Sequence, residues 1–347
     1  MPRPSPPFRR AARRLAAVAL AACAPLLLLG CGSGGSDAGR PNQAATLLLD
    51  FQPNAVHAGI YLATARDYSG AEGVHLEVQV PGTGTDAARL LLSGRAQFAV
   101  LDIHDLAIAR AKGRDLVGVM AIVQRPLAAV IAQPDVRRPR ALEGRRVGVT
   151  GLPSDDAVLD SLVRGDGGDP RKVRRTAIGF GAVPAILGRK VSGATAFWNA
   201  EGVALKAKRP EVRIFKVDEF GAPAYPELIL TTTRTLVQDQ PALVRATVTA
   251  LQRGYREAIV DPESAVTALV DAVPGTDRAL TAAQLDAVQS SFQAPNGRVG
   301  TLDLDALRRW AAWERRFGIV AEAPEVALMF APRFAAEGAG KATQNSG

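Results

Sequence analysis

The 347-residue sequence contains two cysteines, Cys23 and Cys31, and none beyond position 31. Residues 32–347 therefore hold no disulfide, no thiolate metal site and no cysteine nucleophile, which suits an oxidising exterior. The three histidines, His57, His75 and His104, are not at chelating spacing. No metal ligand set, no cofactor and no catalytic set is expected from the sequence. Aromatic residues are scarce, with eleven Phe, four Tyr and three Trp, so the position of each is informative. Lysines and arginines outnumber acids, 42 to 34, for a formal charge of +8. They form no sustained basic stripe interleaved with aromatics, which excludes nucleic acid as the expected partner. After residue 29 no apolar run is long enough to span a bilayer.

What is present begins with five arginines, Arg3, Arg9, Arg10, Arg13 and Arg14, and no acid within residues 1–14. An alanine- and leucine-rich run follows over 15–29. A basic segment before a short apolar one is the pattern of a secretory signal. The run ends in Leu28-Leu29-Gly30-Cys31, which resembles the bacterial lipobox, whose cysteine becomes the lipidated first residue. Glycine, serine, aspartate and asparagine then dominate, as in a flexible tether. The expectation is a signal peptide over 1–30, a tether over 31–45, and an extracytoplasmic chain lipid-anchored to the cell membrane through Cys31. Loss of the signal removes five of the eight formal charges and leaves +3. Roughly 300 remaining residues are ample for two lobes with separate cores.

Hydrophobic periodicity predicts an α/β chain. Strands are expected over 46–50, 75–80, 98–101 and 115–123, with helices over 61–68, 85–93 and 105–112. Gly94 and Gly113 sit where a left-handed residue ends a helix. Alternating strands and helices imply parallel units with helices on both sheet faces. The rhythm restarts at Leu142-Glu143-Gly144-Arg145-Arg146-Val147-Gly148-Val149, after a Pro- and Arg-rich stretch over 133–140 that reads as an inter-lobe crossing. From about residue 231 the pattern is mostly helical, including an amphipathic segment over 241–259 and one over 302–317. No internal repeat is evident.

The segment Leu49-Asp50-Phe51-Gln52-Pro53-Asn54-Ala55-Val56-His57-Ala58-Gly59-Ile60-Tyr61-Leu62-Ala63 resembles the opening block of thiamine-pyrimidine-synthase-like solute-binding proteins of ATP-binding-cassette importers. The sulfonate-type binders form a more distant branch of that group. Further pieces of the same pattern follow in order: Leu92-Ser93-Gly94-Arg95-Ala96-Gln97-Phe98, Gln124-Arg125-Pro126-Leu127, and Glu219-Phe220-Gly221-Ala222-Pro223-Ala224-Tyr225. Together they cover roughly residues 46 to 319. The resemblance implies a two-lobed, periplasmic-binding-protein-like (type II) fold with a two-stranded hinge that closes on a ligand. It places the crossings near 130–138 and 228–232. Lobe one is then 46–132 with 230–330, lobe two is 133–229, and 331–347 is a flexible tail.

In open α/β sheets ligands lie beyond the carboxyl ends of the strands. The candidate wall is therefore the set of loops after the strands near 47–50, 98–101, 118–123 and 147–150. The resemblance implies a heteroaromatic ligand: an aminopyrimidine related to thiamine synthesis, or riboflavin. A flat ring needs aromatic faces and a few polar groups at its edge. Phe51 and Tyr61 flank the first loop, with Asn54 and His57 on it to read ring nitrogens and an exocyclic amine. Gln124 comes from the later motif. In lobe two the candidates are Trp198, Asn199 and Glu201, then Glu219, Phe220 and Tyr225. Asp50, Glu201 and Glu219 are acceptors for an amino group. Ser154-Asp155-Asp156 caps a helix or offers its backbone N–H groups to a ligand. Trp310 and Trp313 sit at helical spacing and read as packing.

Two classes of function follow from the resemblance. One is transport binding, with a permease, its ATPase and the membrane as partners of a monomer. The other is pyrimidine synthesis, since fungal relatives consume the histidine matching His57 and need iron and a cysteine-rich motif. The absence of cysteine beyond position 31 and the export signal favour binding without catalysis.

Overall fold

The computed structural model describes residues 43–82 and 87–336. The signal peptide, Cys31 and most of the expected tether lie outside the described residues. Among the described residues ten strands are formed: β1 (Gln43–Leu48), β2 (Val74–Gln79), β3 (Phe98–Asp102), β4 (Leu116–Ala121), β5 (Ala128–Ala132), β6 (Arg146–Val149), β7 (Arg174–Ala177), β8 (Gly193–Phe197), β9 (Arg213–Lys216) and β10 (Leu228–Thr233). They build two mixed sheets of five strands, ordered β2-β1-β3-β10-β4 and β7-β6-β8-β5-β9. Helices accompany both sheets, giving a two-lobed α/β fold.

The two sheets share one plan. In each, three parallel strands lie side by side and a fourth runs antiparallel between the third and the outer strand. The antiparallel strands are β10 in the first sheet and β5 in the second, and each is the strand that enters its sheet from the other lobe. This corrects the expected hinge. β5 is wholly buried and pairs with β8 and β9, so the chain crosses between Ala121 and Ala128, ahead of 130–138. β10 lies entirely in the first sheet, so the return occupies the segment between Lys216 and Leu228, ahead of 228–232. The polar stretch over 133–140 is a surface loop of the second lobe. Its Arg138 guanidinium reaches Asp166 at 2.7 Å and Gln133 Nε2 donates to the Ile186 carbonyl at 2.7 Å.

The helix Ala58–Ala65 sets the position of the first loop. It packs against the helix Pro241–Val260 through two glycines, because a methyl group on Gly254 would lie 2.2 Å from the Gly59 carbonyl. The ring of Tyr255 covers Gly59, and its hydroxyl donates to the Val56 carbonyl at 2.9 Å. The helical turn Ala55–His57 is thereby held from behind.

The helix Leu304–Phe317 is capped by Asp303, which accepts from the backbone of Asp305 and Ala306, and ends at Gly318 with φ 72°. It buries Trp310 and Trp313, as their spacing predicted. Two boundaries differ from expectation. Gln43–Ala45 belong to β1 instead of the tether. Residues 331–336 are packed, not a free tail: Phe334 is buried in the core and Ala331 N donates to the Gly118 carbonyl at 2.9 Å. Residues 337–347 lie outside the described residues. No helix among the described residues is long and apolar enough to cross a membrane.

The close approach of the two helices makes Gly254 intolerant of a side chain. Gly254→Ala is expected to lower unfolding stability by about 1–3 kcal/mol, read as a lower urea midpoint at unchanged slope.

Candidate functional site

A cavity of about 410 Å³ lies at the carboxyl ends of the parallel strands of both sheets. From the first lobe it is lined by the loop after β1 (Asp50, Phe51, Gln52, Asn54), by Pro81 and Gly82 after β2, and by Asp102 and Asp105 at the end of β3. From the second lobe come Thr150 after β6, Phe180 after β7, and Phe197 and Glu201 at the end of β8. Side chains thus converge from six strand ends, which is where such sheets place ligands.

The first loop is organised by a pair of reciprocal hydrogen bonds. The Asn54 side chain accepts from Val56 N at 3.0 Å, and His57 Nδ1 accepts from Asn54 N at 3.2 Å. With Nδ1 acting as acceptor, Nε2 carries the proton and donates to Asp50 Oδ1 at 2.8 Å. His57 is 0 % exposed. Its role is to hold the Asp50 carboxylate at the cavity wall, and it does not line the cavity itself.

In the second lobe, the backbone N–H and hydroxyl of Thr150 both donate to Asp155, which opens the helix Pro153–Gly165 and faces the cavity. Glu201 lies in a wide helical turn, Trp198–Gly202, and accepts from Phe197 N at 3.2 Å. Burial raises the affinity of both Asp155 and Glu201 for a proton, despite these hydrogen bonds. Burial likewise raises Asp102, and pushes Asp105 up to about 6. Five carboxylates line the cavity, against the two cationic side chains of Lys112 and Arg114. The wall is therefore a region of negative potential in need of a positive or amino-bearing partner.

Phe51 and Phe180 meet across the cleft, edge to face, with ring centroids 4.7 Å apart and planes at 75°. One phenyl comes from each lobe, and Phe180 remains 53 % exposed.

Of the residues singled out in the sequence, Asp50, Phe51, Asn54 and Glu201 share this cavity, as do Ser154 and Asp155. The others stand elsewhere. Tyr61 is buried in the core of the first lobe. Gln124 donates to the Thr301 carbonyl at 3.2 Å. Trp198 is buried at the crossing, where its indole N–H donates to the Pro126 carbonyl at 2.9 Å and Lys216 lies 4.3 Å over its ring. Asn199 is fully buried, with no hydrogen-bond partner for its amide among the described residues. Glu219 is exposed on the return segment, Phe220 packs edge-on against Phe215, and Tyr225 is buried against His104. Aromatic or charged side chains near a turn suit a ligand site, but such turns also build the hinge.

Sequence reading missed Asp102, Asp105, Thr150 and Phe180. Asp102 and Thr150 lie at strand ends that the sequence places in the wall, and acids directly after the apolar strand over 98–101 are the available signal. Phe180 carried none, because its partner Phe51 is 129 positions away in the chain.

Beside the cavity lies a buried polar cluster. His104 sits between the carboxylate of Glu314 at Nδ1 and the hydroxyl of Tyr225 at Nε2, the latter 3.1 Å away. Burial disfavours a charged ring there, but Glu314 and Asp102 outweigh it and hold His104 at about 10. Folding also brings His104 together with Asp102 and Glu227, residues that spacing along the chain does not group.

Known proteins resemble this chain in sequence and in fold. The formylaminopyrimidine-binding protein of Halalkalibacterium halodurans is 27% identical over 295 residues, covering 83% of this chain and 89% of that one. The 4-amino-5-hydroxymethyl-2-methylpyrimidine phosphate synthase of Legionella pneumophila is 25% identical, covering 66% and 73%. The riboflavin-binding protein RibY of Chloroflexus aurantiacus is 26% identical, covering 72% of each. Among solved structures, the alkanesulfonate-binding protein SsuA of Xanthomonas axonopodis pv. citri superposes with a TM-score of 0.66 at 15% identity, covering 84% of this chain and 98% of that one. That likeness concerns the fold, which is the periplasmic-binding-protein-like fold expected from the sequence. The family model described as NMT1/THI5 like matches residues 54–265, most of the described chain, and the protein belongs to that family.

Proposed function

We propose that this protein is the extracytoplasmic, lipid-anchored solute-binding component of an ATP-binding-cassette importer, and that its ligand is an aminopyrimidine of the thiamine-precursor class. The observation that carries the reading is the acid-lined cavity between the lobes, gated by Phe51 and Phe180. A 4-aminopyrimidine offers an exocyclic amine that donates to carboxylates and a ring nitrogen that takes a proton beside one. Its flat face suits Phe51, Phe180 and Phe197. The similarity to a formylaminopyrimidine-binding protein supports the same ligand class. A sulfonate is disfavoured, since five carboxylates line the cavity against two cations.

In this reading the protein captures and delivers without a covalent step. The first lobe presents Asp50, oriented by His57, and the second closes with Asp155, Glu201 and Phe180. The closed form docks on a permease and its ATPase. A synthase reading is disfavoured by chemistry internal to the chain: His57 is fully buried with both ring nitrogens engaged, and no cysteine follows position 31. Riboflavin is the competing ligand, favoured by the similarity to a riboflavin-binding protein. It offers a larger, neutral ring system that leaves the carboxylates uncompensated.

The deciding experiment is a thermal-shift panel on the processed chain with hydroxymethyl- and formylaminomethyl-pyrimidines, thiamine, riboflavin, taurine and an alkanesulfonate. A ligand at a hundred times its dissociation constant adds about 2.7 kcal/mol to native-state stability. A shift with the pyrimidines is expected; a shift with riboflavin alone moves the ligand to a flavin.

The carboxylates give two finer predictions. Glu201→Gln and Asp50→Asn are each expected to weaken pyrimidine binding by about 1.5–3 kcal/mol, measured by calorimetry, with unfolding midpoints little changed. Affinity should also pass through a maximum with pH. Protonation of Asp155 and Glu201, both shifted upward, weakens binding on the acid side. Loss of the ring proton weakens it on the alkaline side. A flat profile of dissociation constant against pH would count against a charged ring.

A further inference from the structure

We infer that Asp102, His104 and Glu227 form a binding site for one divalent transition-metal ion of the zinc class, at the junction of the ligand cavity and the hinge. One donor atom from each residue lies within 4.8 Å of the other two. The cluster alone would be an ordinary buried polar network. Three further features point to an ion.

The first is an orphaned oxygen. Glu227 is 0 % exposed, and its Oε2 accepts from the backbone N–H groups of Leu127 and Ala128. Its Oε1 has no hydrogen-bond partner among the described residues and lies 3.8 Å from His104 Nε2. A desolvated carboxylate oxygen without a hydrogen bond is costly to bury, and an ion pair to His104 at 3.8 Å offsets that only in part. Zinc–nitrogen and zinc–oxygen bonds of about 2.0–2.2 Å together exceed that gap, so a single ion reaches both atoms.

The second is the orientation of the imidazole. Glu314, itself fully buried, holds Nδ1 from behind, which turns Nε2 toward the Tyr225 hydroxyl at 3.1 Å and Glu227 Oε1 at 3.8 Å. A carboxylate on the far nitrogen of a metal-binding histidine fixes the tautomer and raises its basicity. The ion would displace the proton from Nε2 and with it the hydrogen bond that Nε2 donates to the Tyr225 hydroxyl.

The third is charge. Asp102, Glu227 and Glu314 surround one imidazole, and none of the three pairs with a lysine or arginine among the described residues. A charged imidazole answers only one of the three carboxylates, and a divalent ion in place of its Nε2 proton supplies more positive charge. One imidazole with two carboxylates suits zinc-class ions better than calcium or magnesium, which favour all-oxygen sites. Asp102 lines the cavity and gives the ion its entry path.

The test is direct titration of the chelator-stripped protein with zinc chloride, followed by calorimetry and by tryptophan fluorescence. Trp313 and Trp310 lie 5.6 and 6.3 Å from the His104 ring and report on it. One equivalent should bind with micromolar or tighter affinity, and X-ray absorption should show nitrogen and oxygen ligands without sulfur. Asp102→Asn and Glu227→Gln should each lose that equivalent while circular dichroism stays unchanged. Glu314→Gln, which keeps the hydrogen bond but not the charge, should weaken zinc by about 10–100-fold. No binding to the wild-type protein overturns the assignment. So does binding that survives Asp102→Asn and disappears in His75→Ala, since His75 is exposed and far in sequence from the cluster. None of these readouts uses the organic ligand, so the result is independent of the transport reading.

Discussion

Glu227 ties together the elements that the two lobes share. Its side chain accepts from Leu127 and Ala128, where the chain enters the second sheet, and its backbone carbonyl accepts from Ile103 N at the end of β3. The next residue begins β10, which re-enters the first sheet antiparallel to β3 and β4. One buried carboxylate therefore anchors both crossings at the place where a strand end meets the ligand cavity. The crossings are also joined directly, by Arg125 to Asp218 at 2.7 Å. Buried carboxylates are expensive, and backbone N–H groups offset that cost only in part. The polar cluster around His104 is the consequence of placing this anchor inside the protein.

The cavity follows from the same plan. Each sheet contributes parallel strands whose carboxyl ends face the cleft, and the ends of β1, β3, β6, β7 and β8 supply acids, an amide, a hydroxyl and phenyls. Asp50 is held by His57, Asp155 by Thr150, and Glu201 by its contact with Phe197. These supports orient oxygens in a partly dehydrated wall, where a positive or amino-bearing ligand gains most. Phe51 and Phe180 belong to different lobes and meet edge to face, so the two halves of the wall are in direct contact.

Residue by residue, the legible part of the site was its local part. Asp50, Phe51 and Asn54 were readable because they follow an apolar strand and precede a helix within one short block. Glu201 was readable for the same reason, after the apolar run of β8. Trp198 shared that signal and yet faces the crossing, because the wide turn Trp198–Gly202 directs successive side chains differently. Tyr225 and His104 look unrelated in the chain and meet only through the pairing of β10 with β3. The Pro- and Arg-rich stretch over 133–140 looked like a linker because surface loops and linkers share a composition.

By itself the sequence determined the class of the fold, the absence of cysteine beyond position 31, and the alternation of strands and helices in the first lobe. These rest on composition and on periodicities of a few residues, which survive without knowledge of distant contacts. Only the tertiary structure decided which sheet β5 and β10 join, which acids share a wall, and which histidine is a support. Those choices depend on strand pairing and burial between segments a hundred or more positions apart, such as Leu127 with Glu227 and His104 with Glu314. No local pattern encodes them, because the energy that selects them appears only when both partners leave water together.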